Sequence, residues 1–365
     1  MITLRQAQTL LFMFILGTAI LVIPSIAAAY SKQDAWLAVL LAGLIGLVSL
    51  WLVVSVCKRV GNRTIVEAGL VVLGPVFGTF LGLGYVFFAI HLGILVTNNV
   101  GTFMTTLLQP PAPLWPFHLL LLLVAVYIYR LGPWALAGFA QLLSVTLILV
   151  LLFGLLTLVG QFQPQFLRPV LGEGWRPVWT GSYLVLGFPF WETVIVTGWV
   201  LRWVNERDRL FRRMAVSYGG GAVYLATVIV LTLMVFGVEL TSELSYPLYS
   251  LFQEIHVIDL RIEGLTLFAW LVSVQIKATL CYAFALDGIC TLLRTGKSVL
   301  LTVPLAILFV IVADYVYPTT AHLKQVVNTY WPPYAMMFGL VLPLLLFLVL
   351  HLRRRFSPAF ARQLR

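Results

Sequence analysis

Charge is what this sequence has least of. Only 10% of its 365 residues are Asp, Glu, Lys or Arg, against 61% hydrophobic, and the mean hydropathy is +1.01. A water-soluble domain of this length cannot cover itself with so few charges, which excludes a soluble enzyme or binding module. Cysteine is scarce as well. Cys57, Cys281 and Cys290 show neither CxxC spacing nor pairing with histidine, so neither a disulfide framework nor a metal site is implied. The five histidines form no HxxxH pair, and there is no phosphate loop and no nucleophile–base pair. Enzymatic chemistry and a cofactor are therefore not expected. The net charge of +10 would suggest nucleic acid in a soluble chain. In one this apolar, the excess of Lys and Arg in cytoplasmic loops accounts for it, and no nucleic-acid partner is expected.

Long apolar runs are what is there, and they are continuous rather than alternating. That pattern predicts an all-α protein crossing the lipid bilayer many times, not a barrel. At roughly 20 residues per span, ten spans are expected near 7–30, 35–56, 76–107, 115–129, 134–160, 180–201, 213–237, 262–290, 298–317 and 333–352. Arg5, an apolar run and Ala27-Ala28-Ala29 resemble a cleavable signal peptide. The run is long for a signal's apolar core and is read as the first span. A short interfacial helix is expected around 64–73, ended by Gly74-Pro75, because the residue before proline avoids helical geometry.

Basic residues orient these spans. With a cytoplasmic N-terminus, 17 of the 23 basic residues fall inside: Arg5, Lys58, Arg59, Arg63, Arg130, Arg202, Arg207, Arg209, Arg212, Arg213, Arg294, Lys297, Arg353, Arg354, Arg355, Arg362 and Arg365. Lys32, Arg168, Arg176, Arg261 and Lys324 fall outside, with Asp34, Glu173, Glu239, Glu243, Glu254, Asp259, Glu263 and Asp314. This asymmetry places both termini in the cytoplasm. The two outer loops, about 161–179 and 238–261, carry Pro and aromatics and read as packed caps.

Two spans are interrupted. The first holds Gly17, and Pro24 lies further along it; an interior Gly costs about 1 kcal/mol relative to Ala and an interior Pro about 3. Taken alone, that break is explained by a glycine packed on a neighbouring helix. The sixth span holds Gly187-Phe188-Pro189-Phe190-Trp191-Glu192, a second break with an ionisable group beside it. Spans one and six each begin a set of five, and odd-numbered halves are oppositely oriented, which is the inverted repeat of many secondary transporters. In that architecture, half-helix N-termini near the midplane hold an anionic group such as a carboxylate. The expected organisation is one membrane domain over 1–365: repeat one about 1–160, an outer loop about 161–179, repeat two about 180–352, and a basic tail at 353–365.

Gly17-Thr18-Ala19-Ile20-Leu21-Val22-Ile23-Pro24, followed by Gln33-Asp34-Ala35-Trp36, closely resembles the opening of the GerAB-like spore germination proteins. These are the B subunits of nutrient germinant receptors, within the amino acid/polyamine/organocation (APC) transporter superfamily. The resemblance implies a five-plus-five, LeuT-like inverted repeat with broken helices one and six, in the inner membrane of a bacterial spore. It also implies a nutrient ligand, commonly an amino acid, and A and C partner subunits. The ligand would sit against Gly17, Thr18, Ala19, Gly187, Phe188 and Pro189. The superfamily's usual Gly-Ser-Gly-type run is here Gly17-Thr18-Ala19, in which Ala19 permits less close backbone approach. The alternative on the same fold is a secondary amino acid permease coupled to a proton or cation.

Polar groups inside the spans complete the candidate site. Lys277 in span eight is the only basic residue placed near the bilayer centre, so it should face the bundle interior and a partner. In the superfamily a lysine ammonium sometimes stands in for a bound cation. Lys277, with Ser273 one turn before it, is a candidate for that role or for a static tie to span one. Glu192 would neutralise an amine, either the ligand's or that of Lys277. Thr279 and Tyr282 extend the polar stripe of span eight, and Gly93 with Thr97 shares a face of span three. His91 falls elsewhere on span three, whose Tyr85, Asn98 and Asn99 are also polar. Asp287 is expected to pair with Arg294 or Lys297.

Overall fold

A computed structural model of the chain describes residues 1–108, 112–204, 209–254, 263–296, 299–316 and 325–356. Arg207, Asp259, Arg261, Lys297, Lys324, Arg362 and Arg365, expected in loops and in the tail, lie outside the described residues.

The molecule is nearly all helix. Its first broken element consists of α1 (Leu4–Leu16) and α2 (Ala19–Ser31), and a tight turn at Lys32–Asp34 leads to α3 (Ala35–Arg59). Thr3 starts α1 by accepting the Gln6 amide, while the Gln6 side chain accepts the Thr3 amide. The short helix α4 (Ile65–Leu73) has the same reciprocal cap from Thr64 and Glu67. It ends at Gly74, whose φ of 84° suits glycine, and Pro75 opens α5 (Pro75–Phe103) at the one helical turn where a missing N–H costs nothing. The short helix and its Gly-Pro stop lie where the sequence puts them.

After α6 (Trp115–Leu131) and α7 (Pro133–Leu158), the second broken element comprises α8 (Trp175–Val185), a wide turn at Leu186–Phe190 and α9 (Val194–Val200). The chain closes with α10 (Leu210–Glu243), α11 (Pro247–Gln253), α12 (Glu263–Leu292), α13 (Val299–Tyr315) and the helical run α14 (Val326–Phe356). Helices α10 and α12 flank the broken elements: α10 packs on α1, α2 and α3, and α12 on α1, α5, α6 and α7. The interrupted helices therefore lie in the core, where neighbouring protein can satisfy backbone groups freed by the breaks. Large apolar side chains point outward from the peripheral helices, among them Leu142 and Leu156 on α7 and Leu300 on α13, as expected of a lipid-facing surface.

Among the described residues, seven helical segments are long and apolar enough to cross a membrane, where the sequence suggests ten spans. Two local features account for the difference. The turn at Lys32–Asp34 lets α2 and α3 run together as Ala19–Arg59, and Leu4–Leu16, Trp115–Leu131 and Val299–Tyr315 are apolar but shorter.

The segment between α7 and α8 is packed over the α2–α3 corner. Asp34 accepts the Leu171 amide with both oxygens (3.0 and 3.1 Å), Gln33 donates to the Pro169 carbonyl (2.8 Å) and Ser31 to that of Pro177 (2.8 Å). Lys32 pairs with Glu173 beside them. At the other end of the bundle, the Ile2 amide donates to the Trp203 carbonyl (2.9 Å), tying the chain's start to the segment after α9.

Candidate functional site

Both breaks converge on one lysine. Helix α1 stops at Leu16, and Gly17 (φ −5°, ψ −109°) turns the chain before α2 begins. The Lys277 side chain, from the middle of α12 and fully buried, fills the space this turn opens. A Cβ at Gly17 would lie 2.6 Å from Lys277 Cδ, a separation real side chains do not sustain. The ammonium lies near the C-terminal end of α1, where unpaired carbonyls favour a cation.

In the second break, Phe188 leaves helical geometry (φ −143°, ψ 106°), and the chain resumes at Trp191–Thr193. Gly187 permits close passage of α14: a Cβ there would lie 2.6 Å from Pro332 Cα. The resumed turn carries Glu192, also fully buried, to Lys277. Lys277 Nζ donates to Glu192 Oε2 at 2.6 Å and to Thr18 Oγ1 at 3.2 Å. The other carboxylate oxygen, Oε1, accepts from Trp331 Nε1 at 2.8 Å. The ammonium also lies 4.8 Å from the Phe188 ring centre and 5.1 Å from that of Phe14, distances at which a ring face attracts a cation. Each charge is thus neutralised by the other, with neutral donors and rings filling out its shell. Desolvating two ions is tolerated only with such geometry.

A cavity of about 140 Å³ lies beside this pair. Thr18 and Phe188 line it, and its walls run along one face of α2 (Thr18, Val22, Ser25, Ala29) and one face of α5 (Leu92, Leu95, Val96, Asn99). Asn328 and Trp331 of α14 also line it, with Ser242, Ser245 and Tyr246. Among the described residues, no charged side chain lines it. The Oδ1 atoms of Asn99 and Asn328 are buried and, among the described residues, have no hydrogen-bond partner.

The structure brings together Gly17, Thr18, Ala19, Gly187, Phe188, Pro189, Glu192 and Lys277, of which Thr18 and Phe188 reach the cavity wall. The other candidates point elsewhere. Gly93 lies against the Phe309 ring of α13, and the Thr97 hydroxyl donates to the Gly93 carbonyl at 2.7 Å. Ser273 donates to the Trp270 carbonyl (2.8 Å), Thr279 to that of Gln275 (2.7 Å) and Tyr282 to that of Thr302 (2.7 Å). These five residues are committed to backbone carbonyls or helix packing and do not line the cavity. Asp287 accepts from Tyr129 Oη (2.7 Å) and Trp199 Nε1 (2.8 Å), not from Arg294.

Trp331, Asn328 and Ser25 were not among the residues singled out from the sequence. A period of three to four along α2 links Thr18, Val22, Ser25 and Ala29, and this signal was legible. On α5 the lining stripe is Leu92–Val96–Asn99, one residue away from Gly93–Thr97, an offset of about 100° around the helix. Nothing local marks Trp331, because its partner Glu192 is 139 residues distant.

Comparison with known proteins bears on the whole chain. A family described as "Spore germination protein" matches residues 1–321. Among curated relatives, Spore germination protein KB of Bacillus subtilis (strain 168) is 25% identical over 354 residues, covering 95% of this chain and 94% of that protein. The Putative spore germination protein YfkT of the same organism is 24% identical, with 90% of each covered. Among solved structures, MHP1, a nucleobase-cation-symport-1 family transporter in a closed conformation with bromovinylhydantoin bound, superposes with a TM-score of 0.62 at 14% identity, covering 100% of this chain and 81% of that one. MhsT in complex with L-phenylalanine gives a TM-score of 0.62 at 15% identity, covering 97% and 89%. These likenesses identify a transporter fold.

Proposed function

The chain belongs to the spore germination protein family, and we propose that it is the membrane subunit through which a germinant receptor binds its nutrient, an amino acid. The observation that carries this reading is that both helix breaks meet at the Thr18–Lys277–Glu192 cluster, beside a cavity whose walls, among the described residues, carry no charge. A net-neutral ligand suits such a cavity, because an uncompensated charge there would lose its hydration without a partner. A zwitterion divides its two charges between local dipoles. Its carboxylate takes the amides at the start of α2, beside Thr18. Its ammonium takes the unpartnered oxygens of Asn99 and Asn328, since Glu192 is committed to Lys277 and Trp331.

Lys277 acts in this reading as a built-in cation at the end of α1, so ligand binding needs no sodium. The subunit works with A and C subunits in the inner membrane of the spore. Its basic loops and both termini face the cytoplasm, as the distribution of Lys and Arg supports.

The test uses spores lacking only this gene, followed for dipicolinate release under single amino acids, with labelled uptake by vegetative cells in parallel. Loss of release to one nutrient with uptake intact supports the receptor subunit. Normal release with impaired uptake favours the second reading, an amino acid permease, to which the likeness to transporter folds lends weight.

A further inference from the structure

The ends of α3 and α14 that carry arginine lie side by side. Arg354 Nη2 donates to the backbone carbonyl of Arg59 at 2.6 Å, so the guanidinium of one helix caps the C-terminus of the other. The Arg59 guanidinium folds back along the groove between the helices, 4.8 Å from the centre of the Phe347 ring. Deeper in the same groove Phe347 packs against Trp51, with ring centres 5.0 Å apart, and Trp51 stays 41% exposed.

Two features of this arrangement are unfinished. Among the described residues, neither Arg59 nor Arg354 meets a carboxylate. Glu67, the acid on neighbouring α4, is taken by Arg202 at 3.1 Å and by the Thr64 cap. The two arginines thus adjoin at this end of the groove, and Arg63 on the α3–α4 turn is exposed. Below them, an aromatic pair leaves an apolar surface open on the flank of the bundle. Trp51 stands eight residues before Arg59, about 12 Å at 1.5 Å per residue, which sets the aromatic surface at acyl-chain depth when the arginines lie at headgroup level.

We propose that the groove between α3 and α14 is a binding site for an anionic phospholipid, its phosphate on the Arg59 and Arg354 guanidiniums and an acyl chain on Trp51 and Phe347. The guanidinium fork matches phosphate oxygens in a way an ammonium does not, and basic pockets between membrane helices hold anionic headgroups for this reason. The lipid bridges α3, which packs on α9 and the turn at Leu186–Phe190, to α14, which supplies Trp331 to the buried pair. Its occupancy stiffens the scaffold around the second break.

The experiment follows the thermal unfolding of the full-length purified protein in detergent as lipid is added. Phosphatidylglycerol is expected to raise the midpoint by several degrees, with phosphatidylcholine and inorganic phosphate at matched concentration giving no comparable rise. Arg59→Gln, which leaves the Arg354 bond to the Arg59 carbonyl available, is expected to lose most of that rise. Where that variant does not fold, Arg59→Lys keeps the charge but not the fork, and a reduced rise supports the site. An equal rise with phosphatidylcholine, an equal rise with inorganic phosphate, or an undiminished rise in the arginine variants overturns the proposal.

Discussion

Gly17 and Lys277 occupy one space: the hydrogen that glycine carries in place of a side chain is what lets the lysine stem pass the first helix break. A Cβ on residue 17 would stand 2.6 Å from Lys277 Cδ and 3.1 Å from its Cβ. The stem is enclosed, with the ammonium fixed at Glu192 and Thr18, so it has no free end to swing away. Gly17→Ala is therefore expected to destabilise the protein by about 1–3 kcal/mol through overpacking. It should also abolish nutrient-triggered dipicolinate release. Thermal unfolding of the purified variant checks the first effect, and a wild-type midpoint would contradict the packing described.

The buried pair predicts a specific pattern of non-additivity. Glu192→Gln or Lys277→Met alone leaves one charge without its partner in the core, at a cost of about 3–5 kcal/mol. Glu192→Gln with Lys277→Met removes both charges and should cost clearly less than the two single changes combined. Unfolding midpoints of the four proteins complete the cycle. Additive losses would show that the two residues do not interact.

How much of this was legible in the sequence depends on range. The two breaks are written locally, because Gly17 and the Gly187–Pro189 run interrupt apolar stretches wherever they pack. Glu192 and Lys277 stand out because ionisable groups are costly in a membrane, so each demands a partner. Thr64, Glu67 and Gly74-Pro75 mark α4 through caps that need only neighbouring residues. The rest is set by packing. Nothing in residues 270–285 shows that Thr279 and Tyr282 turn to the carbonyls of Gln275 and Thr302. Asp287 is expected from the sequence to pair with Arg294 or Lys297; Lys297 lies outside the described residues, and the donors that Asp287 does meet, Tyr129 and Trp199, come from helices remote in sequence.

Asp287 gives a third test. Its two neutral donors tie α12 to the end of α6 and to α9, the far half of the second broken element. Asp287→Leu leaves the Tyr129 hydroxyl and the Trp199 N–H without their acceptor and should cost about 1–3 kcal/mol. Asp287→Asn keeps one acceptor oxygen and should cost less. Equal losses in the two variants would mean that shape, not hydrogen bonding, holds this contact.

Trp331 is both a wall of the cavity and a donor to Glu192, and one substitution separates these roles. Trp331→Phe keeps a ring to face Phe88, with which Trp331 is stacked at 5.9 Å, but removes the indole N–H. A hydrogen bond to a charged group contributes about 1.5–3 kcal/mol. Where the geometry of Glu192 sets ligand affinity, a loss of that size raises the nutrient concentration for half-maximal release roughly ten- to a hundredfold. An unchanged dose response would remove the Trp331 bond from the functional site and leave it a packing contact.

Recognition of the ligand is tested most directly by the polar groups that the fold leaves unpaired. Asn99→Leu and Asn328→Leu replace amides whose Oδ1 atoms have no partner among the described residues. Neither change breaks a hydrogen bond made by those oxygens, and removing a buried, unsatisfied acceptor is near neutral for stability or favourable. The response to nutrient should nevertheless fall steeply if these oxygens receive the ligand's ammonium. Thr97→Val is the matched control, since the Thr97 hydroxyl bonds back to Gly93 within its own helix and lines no part of the cavity. The expected outcome is a lost or strongly right-shifted dose response in both asparagine variants, an unfolding midpoint at or above wild type, and a near-normal response in Thr97→Val. If the asparagine variants respond normally and Thr97→Val does not, the ligand lies on the Gly93–Thr97 face of α5 after all, and the cavity beside Lys277 and Glu192 is not where it binds.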